Sequence, residues 1–355
     1  MTSPARDRVQ VVGTGLIGAS IGLALRARGW HVSGDDRDPA RAERAAELGA
    51  VDVVGHDDGA EIVFVATPVS AVVEASRAAL AGGDALVTDV GSVKAPIVAA
   101  VASSRFVGGH PMAGSEQDGV DGADASLFEG ATWVLTPDDR TDSAAFARVR
   151  AVVSSLGADV VAVSPERHDD LVAVVSHVPH LTAAALMGLA ATGAEEHGAM
   201  LRLAAGGFRD MTRVAAGHPG LWLDICAENR VAIVTALDQL VAALGTVREL
   251  VATEDRPRLT ALLDGARHAR INLPSRAPQA EQLVELRVPV RDRPGVLAEV
   301  TTLAGQLGVN IVDFEIVHSL EGDRGVLVLV VDADCERLRS ALSDRGYRPA
   351  VQSLG

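Results

Sequence analysis

The sequence has 355 residues, of which 48% are hydrophobic and only 3% aromatic, and its formal net charge is −15. That length supports two or three domains with real cores, packed from Ala, Val, Leu and Gly rather than from rings. The negative charge argues against a nucleic-acid or anionic-membrane surface, and an anionic substrate would need a local cationic pocket. Two cysteines, Cys226 and Cys335, are too few for a disulfide framework or, alone, for a structural zinc site. Met1 to Arg8 is short and polar, so no signal peptide is expected. The apolar stretches are broken by charge or glycine, so no transmembrane helix is expected either. A cytoplasmic protein is the default.

The first part alternates strand and helix. Val9 to Gly13 is apolar and β-branched, and Gly15 to Arg28 predicts a helix. His31 to Asp36 predicts a strand and Pro39 to Leu48 a helix. Glu61 to Thr67 is a buried-strand pattern, with Pro68 suited to the next helix start. Ala85 to Asp89 and Arg105 to Gly108 continue the series, and Thr132 to Thr136 and Ala158 to Ser164 look like closing strands. This alternation predicts a mostly parallel, doubly wound α/β sheet over residues 1–165.

From Pro165 to about Asn272 the chain predicts long helices, with Leu221 to Ala252 as one long apolar segment. Such a segment belongs inside a helical bundle or a dimer interface. Residues 273–282 contain Pro274, Ser275 and Pro278 and read as a linker. Residues 283–355 predict a βαββαβ order: strands at Leu283 to Val290, Val309 to His318, Gly325 to Asp332 and Pro349 to Ser353, with helices at Gly295 to Leu307 and Glu336 to Arg345. That order is ferredoxin-like.

Gly13-Thr14-Gly15-Leu16-Ile17-Gly18 carries GxGxxG between a strand and a helix. Gly13 permits the tight turn, Gly15 lets the backbone approach a pyrophosphate, and Gly18 lets the helix pack on the sheet. The N–H groups at Leu16 and Ile17 open the helix toward the phosphates. Asp36 follows 18 residues later at the end of the second strand. A carboxylate there bonds the ribose hydroxyls and repels a 2′-phosphate, which favours NAD over NADP. Asp35 is its neighbour, and Arg37 softens the discrimination. Thr67, at the end of the Glu61 to Thr67 strand, completes the expected cofactor set.

Asp89 to Lys94 lies beyond a strand end, where open α/β sheets bind ligands. Ser92 there is either a contact near a nicotinamide or a helix N-cap. Gly108 to Glu116 surrounds His110 with glycine and proline, which suits an imidazole held in a cleft and able to accept a proton. A turn histidine bonding its own loop reads equally well. His177 and His180 share a helix face. A metal site would need more ligands, and His168, Asp169 and Asp170 form no obvious cluster with them. Gly206 to Arg213 opens a helix at glycine and sets Arg209 and Arg213 four apart, which suits a dicarboxylate. Surface salt bridging is the alternative.

Beyond GTGLIGAS at Gly13 to Ser20, five further segments occur in order: DVGSVK, GGHPMAGSE, SHVPH, GGFRDMTR and HPGLWLDICAEN. Together they resemble the prephenate dehydrogenases. The resemblance implies a Rossmann-type NAD domain and a helical domain, residues 166–272, that forms a homodimer. It also implies oxidative decarboxylation of prephenate to 4-hydroxyphenylpyruvate, with no metal. By motif, His110 would accept the substrate hydroxyl proton, Ser92 would orient that hydroxyl or His110, and Arg213 would hold a carboxylate. His180 would line the pocket, with Gly206, Glu116 and Trp222 as further candidates. Arg209 stands where some relatives carry lysine, whose geometry differs. Arogenate, the amino analogue of prephenate, is the rival substrate. A non-catalytic amino-acid sensor is the rival of another class, and the intact glycines, His110 and Arg213 count against it.

Val290 to Ala298 and Gly308 to Ile311 resemble the ACT-domain signature. The resemblance implies an amino-acid effector, tyrosine by pathway logic. Gly295 would allow close backbone approach, and Asn310 and Ile311 would contact the ligand. A purely structural pairing module is the alternative.

Overall fold

A computed structural model describes residues 7–114, 117, 119–196, 203–217, 219–273, 284–291, 293, 295–318, 324–331 and 335–353. The chain divides into two compact units, residues 1–256 and 257–355.

The first unit begins with β1 (Arg8–Val12), α1 (Leu16–Ala27), β2 (His31–Asp35), α2 (Pro39–Glu47) and the short β3 (Val53–Val54). Next come β4 (Ile62–Val65), α3 (Val69–Ala81), β5 (Leu86–Asp89), α4 (Ala95–Val101) and β6 (Phe106–Pro111). β7 (Thr132–Thr136), α5 (Ser143–Ser155) and β8 (Asp159–Ala162) close the sheet. Its order is β3-β2-β1-β4-β5-β6-β7-β8. Only the β6–β7 pair is antiparallel among the described pairings. The chain leaves β3 at one edge and re-enters at β4 beside β1, so the strand order reverses between β1 and β4. Open α/β sheets bind their ligands in the crevice at such a point.

Side chains of β4 alternate between the two faces, as a strand requires. Ile62 and Phe64 join a core with Ile21, Leu25, Trp133 and Val149, on the α1 and α5 side. Val63 and Val65 join the other core, with Val72 of α3 and Ile97 of α4. That second core is completed by helical residues from further along the chain, Ala173, Val178, Ile225, Ile233 and Ala236. The helical segment is therefore built onto one face of the sheet.

That segment runs through α6 (Pro165–Val172), a π-helical turn (Ala173–His177) and α7 (Val178–Glu196). Ser164 caps α6 by accepting from Arg167 N (3.2 Å), with Pro165 in the first turn. Pro179 has no N–H to offer to the preceding turn, which accounts for wide helical winding just before it. α8 (Gly206–Thr212), a 3₁₀ turn (Arg213–Ala216), α9 (Pro219–Glu228) and α10 (Arg230–Ala252) follow. The single helix expected over Leu221 to Ala252 is two, broken at Asn229.

Residues Pro165–Gly193 and α10 are long and apolar enough to cross a membrane by length and composition. Each is still interrupted as the sequence leads one to expect, by Gly188 in the first and by Asp238 and Gly245 in α10. Only 33% and 17% of their apolar windows are buried within the chain. On α10, Val231, Val234, Val241, Leu244 and Val251 are exposed, an apolar face left uncovered among the described residues.

The second unit contains α11 (Arg256–Ile271), apart from its first residue, then β9 (Val284–Arg291), α12 (Val296–Gln306) and β10 (Ile311–His318). β11 (Arg324–Val331), α13 (Cys335–Asp344) and β12 (Ala350–Ser353) complete it. Its antiparallel sheet has the order β10-β11-β9-β12. The βαββαβ order expected from the sequence is present. Leu286 and Val288 of β9, Leu327 and Leu329 of β11, Leu303 of α12 and Leu338 of α13 form the core. The expected linker, residues 273–282, lies outside the described residues except for Leu273.

Candidate active site

The glycine loop sits at the reversal point of the sheet. Gly13 has φ +96°, and a Cβ there would lie 2.5 Å from Ala66 O. A Cβ on Gly18 would collide with the Gly13 carbonyl, whereas one on Gly15 would meet nothing within 4 Å. Only glycine permits the first two close approaches. The open space at Gly15 is where a pyrophosphate approaches the backbone and the N-terminus of α1. Asp36 accepts from Thr14 N (2.8 Å) and Asp38 N (2.9 Å), so its carboxylate is fixed against the loop. Arg37 is exposed. Thr67 Oγ1 is buried at the end of β4 with no hydrogen-bond partner, an orphan that a bound nucleotide would satisfy. These residues fit a dinucleotide.

Two strands on, β5 ends in a buried ion pair. Lys94 and Asp89 are both fully buried and bonded to each other. Lys94 Nζ also donates to Gly109 O (2.7 Å), while Gly109 N donates to Asp89 Oδ1 (3.1 Å). The pair therefore grips both backbone groups of Gly109, the residue before His110. A Cβ on Gly109 would lie 2.6 Å from Asp89 O, so glycine is required for this close approach. Burial lowers the Lys94 ammonium pKa against the pull of Asp89 and Asp169.

His110 itself lies on β6, not in a loop as the surrounding glycine and proline suggest. β6 runs on to Pro111 because Gly108 to Pro111 pair with Trp133 to Thr136 of antiparallel β7. The imidazole is buried, and Nδ1 lies 2.9 Å from His168 Nε2. His168 Nδ1 in turn lies 2.7 Å from Asp169 Oδ1. The Asp169 carboxylate also accepts from Lys94 N and Ala95 N (2.8 Å each). It thereby caps α4, and Ser92 does not. Ser92 is half-buried.

A carboxylate can only accept, so His168 Nδ1 carries the proton it donates to Asp169. On a neutral His168, Nε2 is then an acceptor for His110 Nδ1–H. That leaves His110 Nε2 with a free lone pair. Burial, followed by His168, Lys94 and His177, pushes the His110 pKa well below its ordinary 6.5. His110 is consequently a neutral, oriented base.

Asn229, at the break between α9 and α10, is buried. Its Nδ2 donates to Asp169 O (2.9 Å) and lies 3.2 Å from His177 Nδ1. Burial lowers the His177 pKa to about 4, so this imidazole is also neutral. His177 and His180 do share a face: both meet Trp222, His177 edge-on at 6.1 Å and His180 stacked at 3.6 Å between ring centroids. Arg209 and the exposed Arg213 lie on α8 and the following 3₁₀ turn, with Gly206 at the start of α8. Glu116 lies outside the described residues. In the second unit, Gly295 precedes α12 at φ +89°, Asn310 is exposed, and Ile311 begins β10 half-buried.

The sequence weighs His168 and Asp169 only as metal ligands and gives Asn229 no role, so the chain of contacts they make with His110 and His177 escapes it. His168 stands 58 residues from His110, and no periodicity links β6 to the start of α6. The signal that could have flagged them is a His-Asp pair just after a helix start, on an otherwise apolar face.

The family model described as prephenate dehydrogenase, nucleotide-binding domain, matches residues 21–162, and that of the dimerization domain matches residues 164–265. Prephenate dehydrogenase of Bacillus subtilis (strain 168) is 34% identical over 352 residues, covering 94% of this chain and 95% of that relative. The crystal structure of prephenate dehydrogenase from A. aeolicus, in complex with hydroxyphenyl propionate and NAD+, is 31% identical with a TM-score of 0.71. It covers 77% of this chain and 100% of that one. Arogenate dehydrogenase of Synechocystis is 35% identical with a TM-score of 0.66, covering 74% and 98%.

Proposed function

The chain belongs to the prephenate dehydrogenase family of NAD-dependent oxidoreductases, and from that premise we propose that it oxidises prephenate to 4-hydroxyphenylpyruvate with loss of carbon dioxide, a step toward tyrosine. The observation that carries this reading is the neutral His110, its Nδ1 tied through His168 to Asp169 and its Nε2 without a partner among the described residues. Bound NAD supplies the hydride acceptor for the hydroxyl-bearing ring carbon. Gly13, Gly15, Leu16, Ile17, Gly18, Thr67 and Asp36 would hold it, and Asp36 would disfavour a 2′-phosphate.

His110 Nε2 takes the hydroxyl proton as the hydride leaves the same carbon. The C–C bond to the ring carboxylate then breaks, its electrons complete the aromatic ring, and the carbonyl oxygen, now a phenolate, takes the proton back from His110 Nε2 to give the phenol. Aromatisation drives the step, so no covalent or metal-bound intermediate is needed. Ser92 orients the hydroxyl. Arg213, with Arg209 beside it, supplies the local cation that an anionic substrate needs against a net charge of −15. The stacked His180 and Trp222 form one wall.

The helical segment, residues 166–272, serves as the dimerisation region, and its exposed apolar face on α10 supports that role. Residues 283–355 form an ACT regulatory module that binds tyrosine through Gly295, Asn310 and Ile311. Its support is the βαββαβ order and the positive φ at Gly295.

The test is reduced-nicotinamide formation by the purified protein with each combination of prephenate or arogenate and NAD or NADP. The expected result is activity with prephenate and a preference for NAD of tenfold or more. Activity with arogenate alone would move the substrate and keep the chemistry. Inactivity with both substrates, in a folded protein that binds NAD, would overturn the proposal. Tyrosine binding is read by titration, and no binding together with no effect on rate would remove the regulatory role.

A further inference from the structure

We propose that His168 and Asp169 form a proton relay behind His110, so that the proton taken from substrate comes to rest as an imidazolium beside a carboxylate. This inference rests on His110 being the base. The His110 Nδ1 to His168 Nε2 distance is 2.9 Å and the His168 Nδ1 to Asp169 Oδ1 distance is 2.7 Å, both within the buried interior. The substrate O–H breaks and an N–H forms at His110 Nε2. His110 Nδ1–H breaks in turn and a new N–H forms at His168 Nε2. The charge thus moves one ring inward, from beside the Lys94 ammonium to contact with the Asp169 carboxylate. When the carboxylate is lost, the protons shift back and His110 Nε2 returns its own to the new phenolate oxygen. No other acid or base is consumed.

The surroundings favour His168 as the resting place. Facing the pair are Lys94 and Asp89 at the end of β5, His177 in the π turn, and Asp169 itself. A cation left on His110 would stand against Lys94 with no anion bonded to its ring. On His168 it pairs with a carboxylate already fixed by Lys94 N and Ala95 N, and by Asn229 through the Asp169 carbonyl. Asp169 is therefore a positioning residue with two duties, capping α4 and holding the tautomer of His168.

The relay is tested by His168→Phe, which keeps a ring and removes the acceptor. Single-turnover NAD reduction with prephenate is expected to slow at least tenfold, with the KM of prephenate and the affinity for NAD within about twofold of wild type. Normal turnover would overturn the relay. A second measurement needs no variant: the single-turnover rate of wild type in mixtures of light and heavy water. Two protons in flight give a bowed dependence on deuterium fraction, and a straight line would overturn the relay while leaving His110 as the base. Full activity of His110→Asn would instead overturn the underlying assignment.

Discussion

At the residue scale, the chemistry depends on keeping an imidazole neutral and aimed. His110 sits in a buried site beside a buried ammonium, and both conditions disfavour its cation. The base form is therefore present at and above its ordinary pKa of 6.5, and kcat/KM is expected to be flat in this group upward from about that pH, falling on the acid side only below it. An acid limb centred above 6.5 would contradict the assignment.

Stability follows the same sign. The unfolded chain protonates His110 and His177 near 6.5, whereas the folded chain resists, His177 until about 4. Between those values the unfolded state binds more protons, so stability is complete above 6.5 and declines as pH falls toward 4. Thermal unfolding midpoints at about pH 7.5, 6 and 5 are expected to descend, and equal midpoints would contradict this.

The glycine loop and Asp36 are legible in the sequence because their chemistry is local. GxGxxG and the acidic strand end lie in one βαβ unit, and the backbone demands of Gly13 and Gly18 follow from it. His168 and Asp169 are not legible, because their meaning is a contact made across the fold. For Ser92 the sequence leaves a ligand contact and a helix N-cap both open, and the cap of α4 comes from Asp169, 75 residues beyond Lys94.

At the element scale, the informative features are departures from regularity. β6 continues through His110 only because β7 arrives antiparallel and pairs beyond the point where β5 ends. Local glycine and proline suggest a loop, and the long-range pairing overrides them. The break between α9 and α10 is equally invisible to hydrophobic periodicity, which runs smoothly from Leu221 to Ala252. Asn229 interrupts it to serve the Asp169 carbonyl and His177. Removing that amide takes one of two donors from the Asp169 carbonyl, which keeps Ala173 N, and takes from the buried His177 Nδ1 its Asn229 partner, a loss of about 1–3 kcal/mol. Asn229→Leu is expected to lower the denaturant midpoint accordingly and to reduce kcat more than it raises KM. An unchanged midpoint and turnover would show that the break has no such role.

At the scale of the whole molecule, two compact units of different texture follow each other in the chain. The alternation of strand and helix, the helical run and the βαββαβ tail are readable in order, since each is written in its own hydrophobic period. The fate of the apolar surplus on α10 is less readable, because composition alone does not separate a membrane span from an interface. Membership of a family with a dimerization domain over residues 164–265 makes a second copy the expected cover. Replacing Val241 and Leu244, both exposed in the single chain, with glutamate buries like charges in such an interface. The double variant is expected to sediment as a monomer where the parent sediments as a dimer. A dimer that survives both substitutions would place the interface elsewhere.

The central claim is that His110 is the base for an NAD-linked oxidation of prephenate, and single-turnover NAD reduction by His110→Asn tests it most directly. Loss of the base is expected to cost on the order of a hundredfold or more in rate, with NAD binding and the folded state retained. A variant that reduces NAD at a near-normal rate would contradict the account.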